Sequence, residues 1–276
     1  MNIFRLCGDM CHLLSIILLL RRLYTARNAQ GISLRSQELY LLVFLTRYTD
    51  LYTTYYGLYN SVFKILYIAS TAGIVYIIRG REPICSTYDK EQDTFRHVEF
   101  VILPCLVLAT LTHFITGEGS GLDLFTNIQE LLWVFSIYLE AVAILPQLSL
   151  LRQYKMIENL TGNYIFFRGV YRLFYIINWI YRAYYEPGYR HHYVVYSCGC
   201  VQVLLYIEFF YYWVISKKQG IALTYGGEGD TEYYDCDVNE LRNYDNSSSL
   251  IDNSKVRMRG KSGASDDDEI QNLIVV

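Results

Sequence analysis

Apolar residues along this chain gather in long blocks rather than in short amphipathic runs. The blocks cover residues 3–20, 37–57, 58–78, 98–116, 124–151, 163–185 and 193–215. Each approaches the ~20 residues that carry an α-helix across a bilayer. The pattern predicts an all-α membrane protein with seven transmembrane helices, the second and third nearly abutting. Titratable residues recur at helical spacing inside these blocks. Arg5, Asp9 and His12 follow i, i+4, i+7 in the first, and Arg47 and Asp50 follow i, i+3 in the second. Glu130, Trp133 and Glu140 share a face of the fifth, and Arg172, Tyr175, Trp179 and Arg182 a face of the sixth, with Tyr171 and Asn178 beside them. Residues so spaced lie on one side of a helix. A charge held at bilayer depth costs ~2.5–3.5 kcal/mol on insertion scales, so four such stripes are expected to face one another and line a hydrophilic cavity.

The loops orient the helices. Arg21, Arg22, Arg27 and Arg35 follow the first block, Arg79 and Arg81 the third, Arg152 and Lys155 the fifth, and Lys217 and Lys218 the seventh. The intervening loops are poor in Lys and Arg, so the basic loops are assigned to the cytosol, with an outside N-terminus and a cytosolic C-terminus. Arg21 and Arg22 follow the first apolar run rather than precede it, and no small-residue cleavage site stands out, so an uncleaved anchor is expected. On this topology Arg5, Asp9, Asp50, Glu130, Trp133, Asn178, Trp179 and Arg182 occupy the outer half. His12, Arg47, Glu140, Tyr171 and Arg172 lie deeper. The cavity becomes a funnel opening away from the cytosol, and protonating His12 would tip its charge balance toward an anionic ligand.

Composition changes the picture at two places. The formal net charge of −3 conceals an acidic tail: from about Gly220 the chain is rich in Gly, Ser, Asn and Asp. This tail buries too little apolar surface to order itself. The expected organisation is a helical domain over 1–219 and a disordered cytosolic extension over 220–276. The seven cysteines have no metal-ligand spacing and read as packing residues. Neither a cofactor, a metal nor a nucleic-acid partner is expected, and no nucleophile–base motif points to catalysis. Within the helices, Pro146-Gln147 ends the fifth block's apolar run, where proline breaks the hydrogen-bond ladder. Ser36-Gln37 holds a comparable place at the start of the second. The pair suggests two three-helix parallel repeats, spans 1–3 and 5–7, with the fourth helix as linker, as in SWEET/PQ-loop-like folds.

Several of these residues fall into longer motifs. Asn2-Ile3-Phe4-Arg5, Gly8-Asp9, His12-Leu13-Leu14, Gly31-Ile32-Ser33 with Ser36-Gln37, and Arg47-Tyr48 with Asp50-Leu51 resemble the KDEL receptor (ER lumen protein-retaining receptor) family. So do Asp93-Thr94-Phe95-Arg96, Phe135 to Gln147, and Gly169-Val170-Tyr171-Arg172 with Asn178-Trp179-Ile180. The resemblance runs over roughly residues 1–217. It implies a seven-helix receptor that cycles between Golgi and ER. Such a receptor captures escaped soluble ER proteins by a C-terminal Lys-Asp-Glu-Leu-type tetrapeptide and returns them in retrograde vesicles.

Carried over by motif, Arg47 would hold the peptide's terminal carboxylate, and Arg5 and Arg182 would pair with its acidic side chains. Asp50, Glu130, Trp133 and Trp179 would receive its Lys or His, with Tyr175 and Asn178 as hydrogen-bonding lining. Guanidinium forks match carboxylates. His12 would sense pH, hydrogen-bonding Tyr171 when protonated, with Glu140 and Arg172 in the same lock. Glu208 would act in the switching of the last helix, standing where the family usually has Asp. Lys217 and Lys218 would meet the retrograde coat, coat protein I. The resemblance departs at the C-terminus, since family members end soon after their lysines and this chain continues for some 58 residues. The alternative reading is a transporter of a small anionic or zwitterionic solute. The apolar cytosolic halves Leu18–Leu20 and Leu41–Phe44 favour the receptor.

Overall fold

The computed structural model describes residues 2–55, 57–116, 124–154, 156–189, 191–220 and 223–225. Among these the regular structure is all helical, apart from one isolated antiparallel bridge between Ile157 and Leu223. The main helices are α1 (Ile3–Ala26), α2 (Leu34–Arg47), α3 (Leu58–Gly80), α4 (Leu103–Thr116), α5 (Leu124–Val142), α6 (Leu145–Leu151), α7 (Asn159–Tyr185) and α8 (Tyr193–Gln219). Their ends have local causes. Asn2 caps α1 by accepting the Arg5 N–H at 2.9 Å, and Ser33 caps α2 through the Ser36 N–H. Gly220, at φ 69, closes α8 in the left-handed region that glycine tolerates.

α1 packs along α7, α2 lies against α3 and α5, and α8 closes against α5 and α7. Leu19 and Leu23 of α1, Val43 and Phe44 of α2, and Tyr164 and Ile165 of α7 form part of a continuous buried core. Large apolar side chains also face outward, among them Ile65 and Leu66 of α3 and Leu106, Val107 and Leu111 of α4. Exposed to water, such a belt would be costly; it suits an acyl-chain environment. Among the described residues, five helical stretches are long and apolar enough to cross a membrane: Ile3–Ala26, Leu58–Gly80, Val98–Thr116, Leu124–Leu151 and Tyr193–Gln219. The other two expected spans miss for different reasons. α2 has 14 residues, about 21 Å of helix, and α7 carries Arg168, Arg172 and Arg182 within its length.

The second block was expected to be helical to residue 57, but α2 stops at Arg47. The Tyr48 N–H makes the last bond of its ladder, to the Phe44 carbonyl, and a 3₁₀ turn follows over Thr49–Tyr52. Arg47 and Asp50 therefore do not share one α-helical face. The break at Pro146 is present: α5 ends at Val142 and α6 begins at Leu145, with the proline in its first turn. Gln147 then ties this break to the start of α2. Its amide oxygen accepts the Ser33 N–H (2.9 Å), its amide nitrogen donates to the Gly31 carbonyl (2.8 Å), and its backbone N–H donates to Ser36 Oγ (2.9 Å). Gln37 meets the same group by donating to the Tyr164 hydroxyl at 3.2 Å. The expected acidic tail beyond residue 225 and the Gly117–Asp123 loop lie outside the described residues. Leu223 and Tyr225 are packed core, so packing extends past the composition change at Gly220.

Candidate ligand-binding site

A cleft opens where the C-terminal half of α7 meets the N-terminal half of α8 and the middle of α5. It has two chambers. The inner one, of about 170 Å³, is lined by Arg47, Glu140, Arg172, Tyr175, Trp179 and, from α8, Gln202 among others. The outer one, of about 470 Å³, is lined by Arg182, Glu186, Tyr189, His192 and Tyr196 among others. Trp133 and Trp179 belong to both linings, so the two indoles form the throat between them. Gly199 of α8 makes room for one of them: a Cβ there would stand 2.7 Å from Trp179 Cζ3.

The floor of the inner chamber is an ion-paired lock. Glu140 Oε1 accepts the Tyr171 hydroxyl at 2.5 Å and contacts Arg172 Nη2 at 2.6 Å, while Oε2 takes Arg47 Nη1. Arg47 is held further by Ser136, through its hydroxyl (3.1 Å) and its carbonyl (3.0 Å). The Tyr171 hydroxyl is also approached by Arg172 Nη2 (3.2 Å) and Gln202 Nε2 (3.3 Å). Two guanidinium groups thus share one buried carboxylate. The group carries a net positive charge and can accept a second carboxylate in place of part of Glu140's role.

His12 lies behind this lock and meets Tyr171 through its ring face. The imidazole is sandwiched between Tyr67 (ring centroids 4.5 Å apart) and Tyr171 (4.4 Å), with Phe44 at 5.7 Å. The Tyr171 hydroxyl donates to Glu140 and accepts from Arg172 and Gln202, which leaves the ring face for His12, and the buried Nε2 of His12 has no hydrogen-bond partner.

Of the residues expected to bind ligand, Arg47, Trp133, Tyr175, Trp179 and Arg182 line the two chambers; Arg5, Asp50, Glu130 and Asn178 do not. Asn178 accepts the Asn2 side-chain amide at 2.7 Å, and Arg5 donates to Asn60 at 2.8 Å. Asp50, set off by the end of α2, accepts Lys64 of α3 at 2.6 Å. Arg182 is occupied by Glu186 (2.6 Å) and lies over the Tyr189 ring. Glu208 is paired with Arg152 at 2.6 Å and accepts the Tyr225 hydroxyl at 3.0 Å. Lys217 donates to Asn159 at 3.2 Å, and Lys218 is exposed.

A family model for the ER lumen protein retaining receptor matches residues 28–182. The chain is also 48% identical over 223 residues to an ER lumen protein-retaining receptor of Petunia hybrida, covering 81% of this chain and 98% of the relative. This chain belongs to the ER lumen protein-retaining receptor family. Other relatives are as evenly covered. ER lumen protein-retaining receptor B of Arabidopsis thaliana is 49% identical over 81% of this chain and 98% of its own. The Plasmodium falciparum receptor is 44% identical over 83% of this chain and all of its own. Within this receptor chain the family match takes in Arg47, Glu140, Arg172 and both throat tryptophans.

Four participants escaped the reading of the receptor sequence. Ser136 and Gln202 are uncharged, and nothing in their local pattern marks them as polar contacts of the lock. Lys64 sits alone in an apolar run. Arg168 is 2% exposed, with its guanidinium 3.6 Å over the Tyr40 ring and Nε and Nη2 unpartnered. Its position one turn before Arg172 was a usable signal, since i and i+4 share a face. Asp9 was placed in the stripe; its partners, Tyr59 at 2.8 Å and Tyr175, come from distant segments.

Proposed function

We propose that this protein retrieves escaped soluble ER proteins from the Golgi by binding their C-terminal Lys-Asp-Glu-Leu-type signals in the two-chambered cleft. Family membership carries this reading, and the cleft supports it: a chain terminus needs a blind, cation-rich chamber. The inner chamber has Arg47 and Arg172 on its lining, and the buried rings of Tyr67, Phe44 and Tyr171 stack around His12 behind it. The ligand's terminal carboxylate takes Arg47 from Glu140, and its acidic side chains take Arg182 from Glu186. Asp50, Glu130, Trp133 and Trp179 receive the Lys or His of the signal, with Lys64 occupying Asp50 until the ligand arrives. Tyr175 belongs to the inner lining, and Arg5 and Asn178 complete the wall through small shifts of α1 and α7. His12 favours the bound state when protonated, which the mildly acidic Golgi promotes relative to the near-neutral ER.

The fold proposed with this function has seven spans in two three-helix repeats joined by α4. α2 with its 3₁₀ turn forms the second span and α7 the sixth, whose arginines face the cleft and core rather than lipid. Its N-terminus is luminal and its C-terminus cytosolic, where Lys217 and Lys218 meet coat protein I during vesicle return and Glu208 switches with the last helix. The test is binding of a labelled peptide ending in Lys-Asp-Glu-Leu to the full chain in detergent. Tighter binding at pH about 6 than at pH about 7 is expected, with loss of binding when the peptide's C-terminus is amidated. Equal affinity for free and amidated peptides at both pH values refutes the proposal.

A further inference from the structure

Leu223 and Tyr225 lie past the end of α8, yet each is only 3% exposed. In an extended segment residues i and i+2 point the same way, and both of these reach the helical body. The Leu223 carbonyl accepts the Ile157 N–H at 2.8 Å, in the turn between α6 and α7. Its side chain covers Gly162 of α7, where a Cβ would stand 2.8 Å from Leu223 Cδ2. The Tyr225 ring packs against Phe209 and Tyr212 of α8, with centroids 6.0 and 5.9 Å away, and under the Arg152 guanidinium at 5.6 Å. Its hydroxyl donates to Glu208 Oε2 (3.0 Å), the same oxygen that Arg152 contacts at 2.6 Å. Leu223 and Tyr225 therefore touch α6's C-cap Arg152, the start of α7 and the second half of α8.

We propose that Leu223–Tyr225 form a strap that clamps the terminal turns of α8 to α7 and to the α6–α7 turn. A partner that draws the acidic extension away must unseat Tyr225, and unseating Tyr225 leaves Glu208 to Arg152 alone and loosens the last turns of α8. The relatives above are covered over 98–100% of their own length by 223–230 residues of this chain's 276, so the extension has no counterpart in them. The strap stands at its root, and its clamping does not depend on which ligand the cleft takes.

Hydrogen exchange of the full chain in detergent tests the clamp. Tyr225→Ala is expected to speed exchange of amides in Tyr212–Gln219 about tenfold, the factor equivalent to ~1.4 kcal/mol of local opening. Tyr225→Phe, which keeps the ring and loses the bond to Glu208, is expected to give a smaller rise in the same amides. In a separate full-length variant, Ile157→Cys with Leu223→Cys is expected to cross-link on mild oxidation, identified by mass spectrometry of the joined peptides. Unchanged exchange in Tyr225→Ala overturns the clamp even where the cross-link forms. Absence of the cross-link in a folded chain overturns the strap itself.

Discussion

Glu140→Gln probes the lock with a nearly isosteric change. Glu140 holds Tyr171, Arg172 and Arg47, and the side chains of Arg47 and Arg172 are 19% and 9% exposed. Removing the charge leaves two largely buried guanidinium groups without their shared carboxylate. The amide oxygen can still accept from Tyr171, but its NH₂ faces a guanidinium. Breaking a buried pair in this way costs ~3–5 kcal/mol, and the retained acceptor places this case near ~3. For a body of this size each kcal/mol lowers the unfolding midpoint by ~2–4 °C, so a fall of about 6–12 °C is expected. The assay is thermal unfolding of the full chain in detergent, followed by tryptophan fluorescence. Adding Arg172→Met to Glu140→Gln removes one orphaned cation and is expected to recover part of the loss. A fall below about 2 °C for Glu140→Gln, or a double variant whose losses simply add, refutes the charge-compensation reasoning.

Gly199→Ala is expected to push Trp179 into the throat, costing ~1–3 kcal/mol of stability and weakening peptide binding; calorimetric titration showing unchanged affinity would contradict the packing argument. Gln147→Leu orphans the Ser33 N–H and the Gly31 carbonyl, each worth ~1–3 kcal/mol when buried, so a stability loss of about 2–6 kcal/mol by chemical denaturation is expected. Lys64→Met should free Asp50 and raise affinity for a Lys-Asp-Glu-Leu peptide up to ~5-fold, the scale of a partly exposed ion pair; no gain relative to a peptide lacking the Lys would count against that role for Asp50. Burial and the bond to Glu208 push the Tyr225 hydroxyl up from 10.0 to about 12. Because the folded value is raised, its share of strap stability is complete below pH 10.0 and lost as pH rises through about 12. Difference absorbance between the native chain and Tyr225→Phe should show that midpoint, and titration near 10 would refute the buried strap.

Much of the site was legible because its residues violate the solvent they sit in. A charge in an apolar block is visible without any structure, and helical spacing joins Arg5 to Asp9 or Arg172 to Arg182. Spacing fails where a helix ends. Arg47 and Asp50 read as neighbours, but α2 stops between them and sends one to Glu140 and the other to Lys64. Spacing is also silent on neutral partners: Ser136 becomes a ligand of Arg47 only because α2 and α5 pack together.

Hydropathy and periodicity by themselves determined the helical membrane class, the places of the apolar helices, the break at Pro146 and the inward charges, because each depends on residues close in the chain. Tertiary packing alone decided which carboxylate serves which arginine, since the two-to-one arrangement at Glu140 needs α2, α5 and α7 within hydrogen-bond reach. It decided that His12 meets Tyr171 by its face, because the hydroxyl was already taken. It also decided that Tyr225, at the edge of a polar tail, is buried: an aromatic ring in a hydrophilic segment is pulled inward only when a groove of matching shape and charge lies within reach.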